Sequence, residues 1–539
     1  MAPRQRSAHD RAAPVAFEHG GTFDEQLYRA LRQSPWWMIS IGVHVLLFVI
    51  SSLFAPAVAR PERIEVAVIG MTSSEDPVVP EPPDEPEVDP LVAQDVDAKE
   101  PTVVDLPEKA ERPVTDVNVD SDDVYGNVAD GRGAGDLTGA STNAIIGLQS
   151  GLRAGGWGPG GMRDRGSRGR SGKPEAERAV DDALRWLAAH QARDGAWEAE
   201  GFGRWCDGKP ATAGPDGAGK ATYDVGVSGL ALLAFLGAGY TQRSEGPYGD
   251  VVRRGLRWMV NTQDAEGCFG DRSSGHFVYN HAIASLAVVE AYAMSGSTML
   301  KNPAQKALDF IALARNPYFA WRYGVKPGDN DTSVTGWMMM ALKSARMVAE
   351  ADVAAGRKPS LQLDADAFDG IRAWIEKMTD PDTGRVGYQQ RGTGPARPTE
   401  LVDRFPADRS EAMTAVGVLA RVFLGENPKG SPAIEKGARL MADRLPTWDP
   451  VGGGTDMYYW YYATLALFQV GGPAWKAWDA AMKPAIVDTQ RRDGDYCGYK
   501  GSWDPIDPWG ADGGRVYATA VNAMCLEVYY RYGRVFGTK

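Results

Sequence analysis

Along residues 176–539 the apolar positions alternate between two styles. In "ALRWLAAHQARDGAW" (183–197) and "GLRWMVNTQDAEGCF" (255–269) they fall on one face at helical spacing, then the chain passes through Gln, a short polar turn and Gly-x-aromatic. Weaker copies follow at 307–321, 370–388, 437–448 and 481–499, the last being "AMKPAIVDTQRRDGDYCGY". Between the copies lie runs that are apolar nearly all round and rich in small residues, such as "GVSGLALLAFLGAGY" (226–240) and "MYYWYYATLALFQVG" (457–471). Helices hydrophobic on every side belong inside a fold, and amphipathic ones cover them. Six such pairs, repeating every 60 residues or so, predict an all-α fold: a six-repeat α/α toroid of six outer and six inner helices.

A second apolar pattern stands near the start. "WWMISIGVHVLLFVISSLF" opens a stretch from Trp36 to Ala55 with no fixed charge, long enough as a helix to cross a hydrocarbon core of about 30 Å. The spacing predicts one transmembrane helix over 36–58, preceded by a cytoplasmic segment, 1–35. A cleaved signal peptide is the rival reading, since "AVA" at 57–59 is a small-x-small site; against it stands a long n-region that carries acids as well as arginines. Arg4, Arg6, Arg11, Arg29 and Arg32 precede the span and only Arg60 and Arg63 follow it closely, which places the N-terminus inside and the bulk of the chain outside.

Charge sharpens the division into regions. Residues 61–130 hold 20 acids against four bases, a net of −16, which exceeds the −12 of the whole 539-residue chain. With ten prolines as well, 59–130 reads as a disordered, extended spacer, and 131–175, Gly-rich and locally basic, as a flexible joint. Nothing in this balance favours a nucleic-acid partner. Cys206, Cys268 and Cys497 fall in Gly-rich loops and are free to pair outside a reducing compartment, leaving two thiols, one of them Cys525 in an apolar run.

The Gln-turn-Gly-x-Trp/Phe segments resemble the QW motif of squalene–hopene cyclases, and residues 178–535 resemble the toroid family of terpenoid cyclases and protein prenyltransferases. The resemblance implies the toroid fold; its chemistry has to be matched residue by residue. Family cyclases protonate their substrate from an Asp-x-Asp-Asp-Thr segment, and "GDNDTSVTGW" offers Asp329 and Asp331 as candidate catalytic acids. Either alignment loses one carboxylate, and Asp331 is equally suited to capping a helix. The family zinc site needs Asp-x-Cys and a later His; Asp495 and Cys497 are present, but the last histidine is His281, so no metal or other cofactor is expected.

In such a toroid the inner helices run parallel, and their N-terminal ends open on one side. Near those ends the candidates for ligand binding are Asp224, His276, His281, Glu411, Asp456, Tyr458, Trp460, Tyr461 and Arg515, with core packing the competing role for each aromatic. They suit an unknown apolar or glycan ligand.

Within the span, Ser40 and His44 are four apart and share one helix face. A Ser-x-x-x-His anchor followed by a Pro-rich acidic spacer resembles the N-terminal part of TonB-type energy transducers. That resemblance implies a bacterial cytoplasmic membrane, a periplasmic or outer location for the toroid, and an ExbB/ExbD-like proton-channel partner. The chain thus reads as a membrane-anchored toroid that binds a large apolar or polymeric ligand, with a squalene-type terpene cyclase and a polysaccharide-active toroid enzyme as alternatives.

Overall fold

The computed structural model describes residues 175–211 and 214–528. The expected membrane span with Ser40 and His44, the acidic spacer and nearly all of the Gly/Arg-rich joint lie outside the described residues. Among the described residues no helix is long and apolar enough to cross a membrane.

Twelve helices account for most of the described chain: α1 (Glu175–Ala189), α2 (Asp224–Gly237), α3 (Pro247–Asn261), α4 (Phe277–Ser295), α5 (Thr298–Ala314), α6 (Thr332–Ala354), α7 (Asp366–Met378), α8 (Ala412–Phe423), α9 (Pro432–Ala442), α10 (Met457–Val470), α11 (Gly472–Val487) and α12 (Gly510–Leu526). The only sheet among the described residues is a two-stranded hairpin, Trp205–Cys206 against Lys209–Pro210. Odd-numbered helices bury one stripe, as α1 does with Ala179, Val180, Ala183, Leu184 and Leu187. Even-numbered ones are buried all round: in α2 every residue from Gly226 to Gly237 is enclosed. The even helices pack in the order α2, α4, α6, α8, α10, α12 and back to α2, so the inner layer closes on itself. Each odd helix packs outside this layer, and α11 meets α1 where the chain's two ends join. The architecture is the six-repeat α/α toroid that the alternating pattern predicts.

The Gln-turn-Gly-x-aromatic segment explains how neighbouring repeats lock together. The Gln191 amide donates to Gly195 O and, across to α3, to Val251 O, both at 3.0 Å. Gln263 does the same with Gly267 O (3.1 Å) and Pro303 O of α5 (3.0 Å). The aromatic residue turns inward: Trp197 is fully buried and its indole donates to Leu187 O at 2.7 Å. Its amide is accepted by Ser228 Oγ of the inner helix at 2.9 Å. Thr335 and Thr519 play the Ser228 part for Trp321 and Trp503.

In the sixth repeat the structure departs from the sequence reading. The residue equivalent to Trp197 is Trp503, not Tyr499, because Gln490 pairs with Gly501 O and the Trp503 indole donates to Ile486 O at 2.7 Å. Residues 492–498 are an insertion between the Gln and the Gly, and they carry Cys497, which is bridged to Cys206 of the first repeat. Cys268 and Cys525 are buried free thiols.

Candidate functional site

The first turns of the inner helices converge on a cavity of about 360 Å³. Tyr223 just before α2, Tyr279 of α4, Trp337 of α6, Tyr458 of α10 and Tyr517 of α12 form its wall, each within two turns of a helix start. Tyr323 and Tyr388 complete the wall from the loops that precede α6 and α8, and Trp509 from the loop before α12. Pro395, Ala396, Arg397, Pro398 and Glu400 also line the cavity.

The hydroxyls of this aromatic wall are committed to one another. Ser333 Oγ lies 2.8 Å from Tyr458 Oη and 3.2 Å from Tyr279 Oη, which also accepts from the Trp337 indole at 3.0 Å. Tyr323 and Tyr388 share a hydrogen bond of 2.6 Å, and Tyr223 Oη pairs with His276 Nδ1 at 3.1 Å. Burial holds the phenols un-ionised: Tyr223 and Tyr323 are pushed up to about 12, and Tyr458 and Tyr517 further still. With the hydroxyls tied up, the cavity is offered mainly ring faces.

Two ion pairs border the cavity. Lys220 and Asp512 meet at 2.6 Å at the rim. Arg397 of the lining donates to Asp456 at 2.7 Å, and both side chains are almost wholly enclosed. Asp456 also caps α10 through Tyr459 N at 2.9 Å. A second buried carboxylate sits at the same helix end: Asp507 accepts from Met457 N at 3.0 Å, from Tyr517 Oη at 2.9 Å and from Trp509 N at 3.2 Å. Among the described residues no cation pairs with it, and burial, reinforced by the Asp456 charge, pushes it up to about 7.

Of the candidates taken from the sequence, His276 and Tyr458 line the cavity. Burial lowers the His276 pKa, and its ring meets Tyr323 edge-on at 4.6 Å. Asp331 caps α6 through Val334 N at 2.7 Å and is fully enclosed behind the wall, its second oxygen 3.9 Å from Arg322 Nε. Burial pushes it up to about 7, against the pull of the Val334 amide and Arg322. Asp329 is exposed and pairs with Arg322.

The remaining candidates sit outside the lining. Asp224 accepts from Ala199 N at 2.7 Å and is raised to about 6 by burial. His281 takes the place that hydroxyls hold in other repeats: its Nδ1 accepts from Phe269 N at 3.1 Å, and burial lowers it to about 3, so it is a neutral core histidine. Glu411 is buried and ion-paired with Arg385. Tyr461 stacks on the far side of Trp337 at 5.5 Å, and Trp460 lies buried beside Trp448. Arg515 binds Asp216 and Asp504 where the ring closes.

No known protein family matches the chain, and no curated protein does. Among solved structures, the GH76A α-1,6-mannanase of Salegentibacter sp. HEL1_6 is 9% identical with a TM-score of 0.42, covering 66% of this chain and 99% of that one. The type II terpene cyclase MstE from Scytonema is 12% identical with a TM-score of 0.40 over 66% of this chain and 97% of its own. A protein from Actinoplanes is 16% identical with a TM-score of 0.36 over 66% and 98%.

Proposed function

We propose that the toroid is a ligand-binding module displayed on the outer side of a cytoplasmic membrane, and that its cavity takes the end of a large ligand with apolar faces. The observation that carries this reading is the wall of aromatic rings whose hydroxyls are already paired with protein groups. Such a surface gains most from burying hydrocarbon and offers a sugar few free partners. A volume of about 360 Å³ falls near the lower end of ligand pockets, so a large molecule enters by one end only. Display outside the membrane and coupling to an ExbB/ExbD-like motor belong to the same proposal and rest on the Arg-flanked span and on Ser40 and His44.

A glycan-active reading has one observation in its favour: two carboxylates, Glu400 and Asp512, line the same cavity. Asp512 is held by Lys220, which costs it freedom as a base. For a squalene-type cyclase the acid would be Asp331, which is withdrawn behind the lining and spends one oxygen on capping α6. Titrating the full chain with farnesol and, separately, with maltotriose, while following the fluorescence of the wall tryptophans, distinguishes the first two readings. Product analysis after incubation with squalene tests the third, and no cyclised product is expected.

A further inference from the structure

The insertion in the sixth repeat and the hairpin of the first bring three ligand-type side chains together at the ring's seam. The Sγ atoms of Cys206 and Cys497 and a carboxylate oxygen of Asp207 lie within 4.8 Å of one another. Cys206 and Cys497 are half-buried, whereas Asp207 is exposed. The Asp207 carboxylate makes no hydrogen bond or ion pair among the described residues, and its backbone holds a left-handed φ of +50°.

Hydrogen bonds hold these loops beside the bridge between the cysteines. Asp207 N donates to Ala189 O at 2.8 Å, and Arg193 Nε to Gly208 O at 3.1 Å, fixing the hairpin on the end of α1. On the other side the Trp186 indole donates to Gly498 O at 2.7 Å, and Asp495 Oδ1 accepts from Cys497 N and Gly498 N at 3.1 and 2.9 Å. Reduction therefore leaves two thiols side by side on anchored backbone, with a free carboxylate next to them.

We propose that the reduced Cys206–Cys497 pair, with Asp207, is a site for a thiophilic divalent cation of the zinc type. Two thiolates and one carboxylate are a soft-dominated donor set, and three protein ligands leave a fourth, solvent-facing position. In a tetrahedral site with metal–sulfur bonds of about 2.3 Å, each sulfur has only to swing away from its former partner by side-chain rotation. The chemistry balances: two equivalents of a thiol reductant break the S–S bond and leave as their own disulfide, giving two cysteine thiols. The cation then displaces their two protons. Oxidation by a disulfide reverses both steps and releases the metal, so the seam alternates between a covalent clasp and a metal clasp.

The test titrates Co²⁺ into the full chain in detergent, before and after reduction and removal of the reductant, following thiolate-to-cobalt charge-transfer absorption. The reduced protein should take up one equivalent with that absorption and give it up to Zn²⁺; the oxidised protein should take up none. Cys497→Ser should abolish the signal, and Asp207→Asn should weaken binding about tenfold or more while leaving both thiols countable. Far-UV circular dichroism of the reduced protein and both variants checks that the helices persist. Equal cobalt uptake by reduced and oxidised protein overturns the proposal, as does undiminished charge-transfer absorption in Cys497→Ser or undiminished affinity in Asp207→Asn.

Discussion

Gln490 Nε2 donates to Ala179 O at 2.7 Å across 311 residues of chain, and in doing so fastens the last outer helix to the first. The contact repeats, at the seam, what Gln191 and Gln263 do between neighbouring repeats. Gln490→Leu keeps the volume but leaves Ala179 O and Gly501 O without their buried donor. A loss of about 1–3 kcal/mol in urea unfolding is expected, against less than about 0.5 kcal/mol for an exposed substitution.

The glycine of the same segment is constrained twice over. Gly501 holds φ +92°, and a Cβ there would sit 2.2 Å from Asp182 O; Gly195 holds φ +108°, with Arg254 O at 2.3 Å. Either Gly→Ala change has to push the neighbouring outer helix away as well as strain the backbone. Each should cost at least about 2 kcal/mol and lower the midpoint of thermal unfolding by several degrees.

Much of this architecture was legible in the chain. Alternation of one-sided and all-round apolar runs marks the helices, since a fully buried helix has no polar face to interrupt it, as α2 shows between Gly226 and Gly237. The sixth repeat is misleading in the sequence because an insertion separates Gln490 from Gly501, and Tyr499 offers an aromatic before Trp503. The cavity was only half legible. Titratable residues near inner-helix starts read as ligand-binding candidates, yet Glu411, Asp456 and His281 spend their polar atoms on ion pairs, caps and core amides. The signal for the true lining was the recurrence of an aromatic near those starts, at Tyr223, Tyr279, Trp337, Tyr458 and Tyr517. Asp507 carries no mark in the sequence: Trp509 N is two residues on and Tyr517 ten, but Met457 N lies 50 residues away and becomes a partner only when α10 and α12 pack together.

The pH dependence of stability should carry the mark of Asp507 and Asp331. Both carboxyls lie near 7 in the folded chain and near 4 when unfolded, so the folded state holds their protons more tightly. Their contribution is present below about pH 4 and is lost as pH rises towards 7, a slope on the order of a few kcal/mol in total. His190 and His281, lowered to about 4 and about 3, act in the opposite sense, costing stability as pH falls below about 6.5. Asp507→Asn should therefore remove part of the decline between pH 4 and 7 and leave the acid limb intact, measured as urea midpoints across that range. An unchanged decline in the variant would contradict the assignment.

His44 tests the proposed coupling. If the helix face carrying Ser40 and His44 docks on proton-channel subunits, His44→Leu should lose ExbB/ExbD-like proteins that co-purify with the wild type. A chain whose span is replaced by a Leu/Ala helix of equal length should lose them too. Equal recovery by all three chains, or recovery by none, would leave the segment a tether.

On the proposed reading, the aromatic cavity at the inner-helix N-termini takes the end of an apolar ligand. Trp337 and Trp509 stand in its wall, and half-buried Ala396 lines it too. The most direct measurement is a tryptophan-fluorescence titration of the full chain with farnesol, delivered from cyclodextrin, beside one with maltotriose. Wild type and Ala396→Trp, which sets a large side chain in the lining without removing a hydrogen bond of the wall, are compared using intensity changes normalised to each protein. Saturable farnesol binding is expected in the wild type, weakened tenfold or more by Ala396→Trp, with no saturable response to maltotriose. Maltotriose binding without farnesol binding, or farnesol binding that Ala396→Trp leaves unchanged, would contradict that reading.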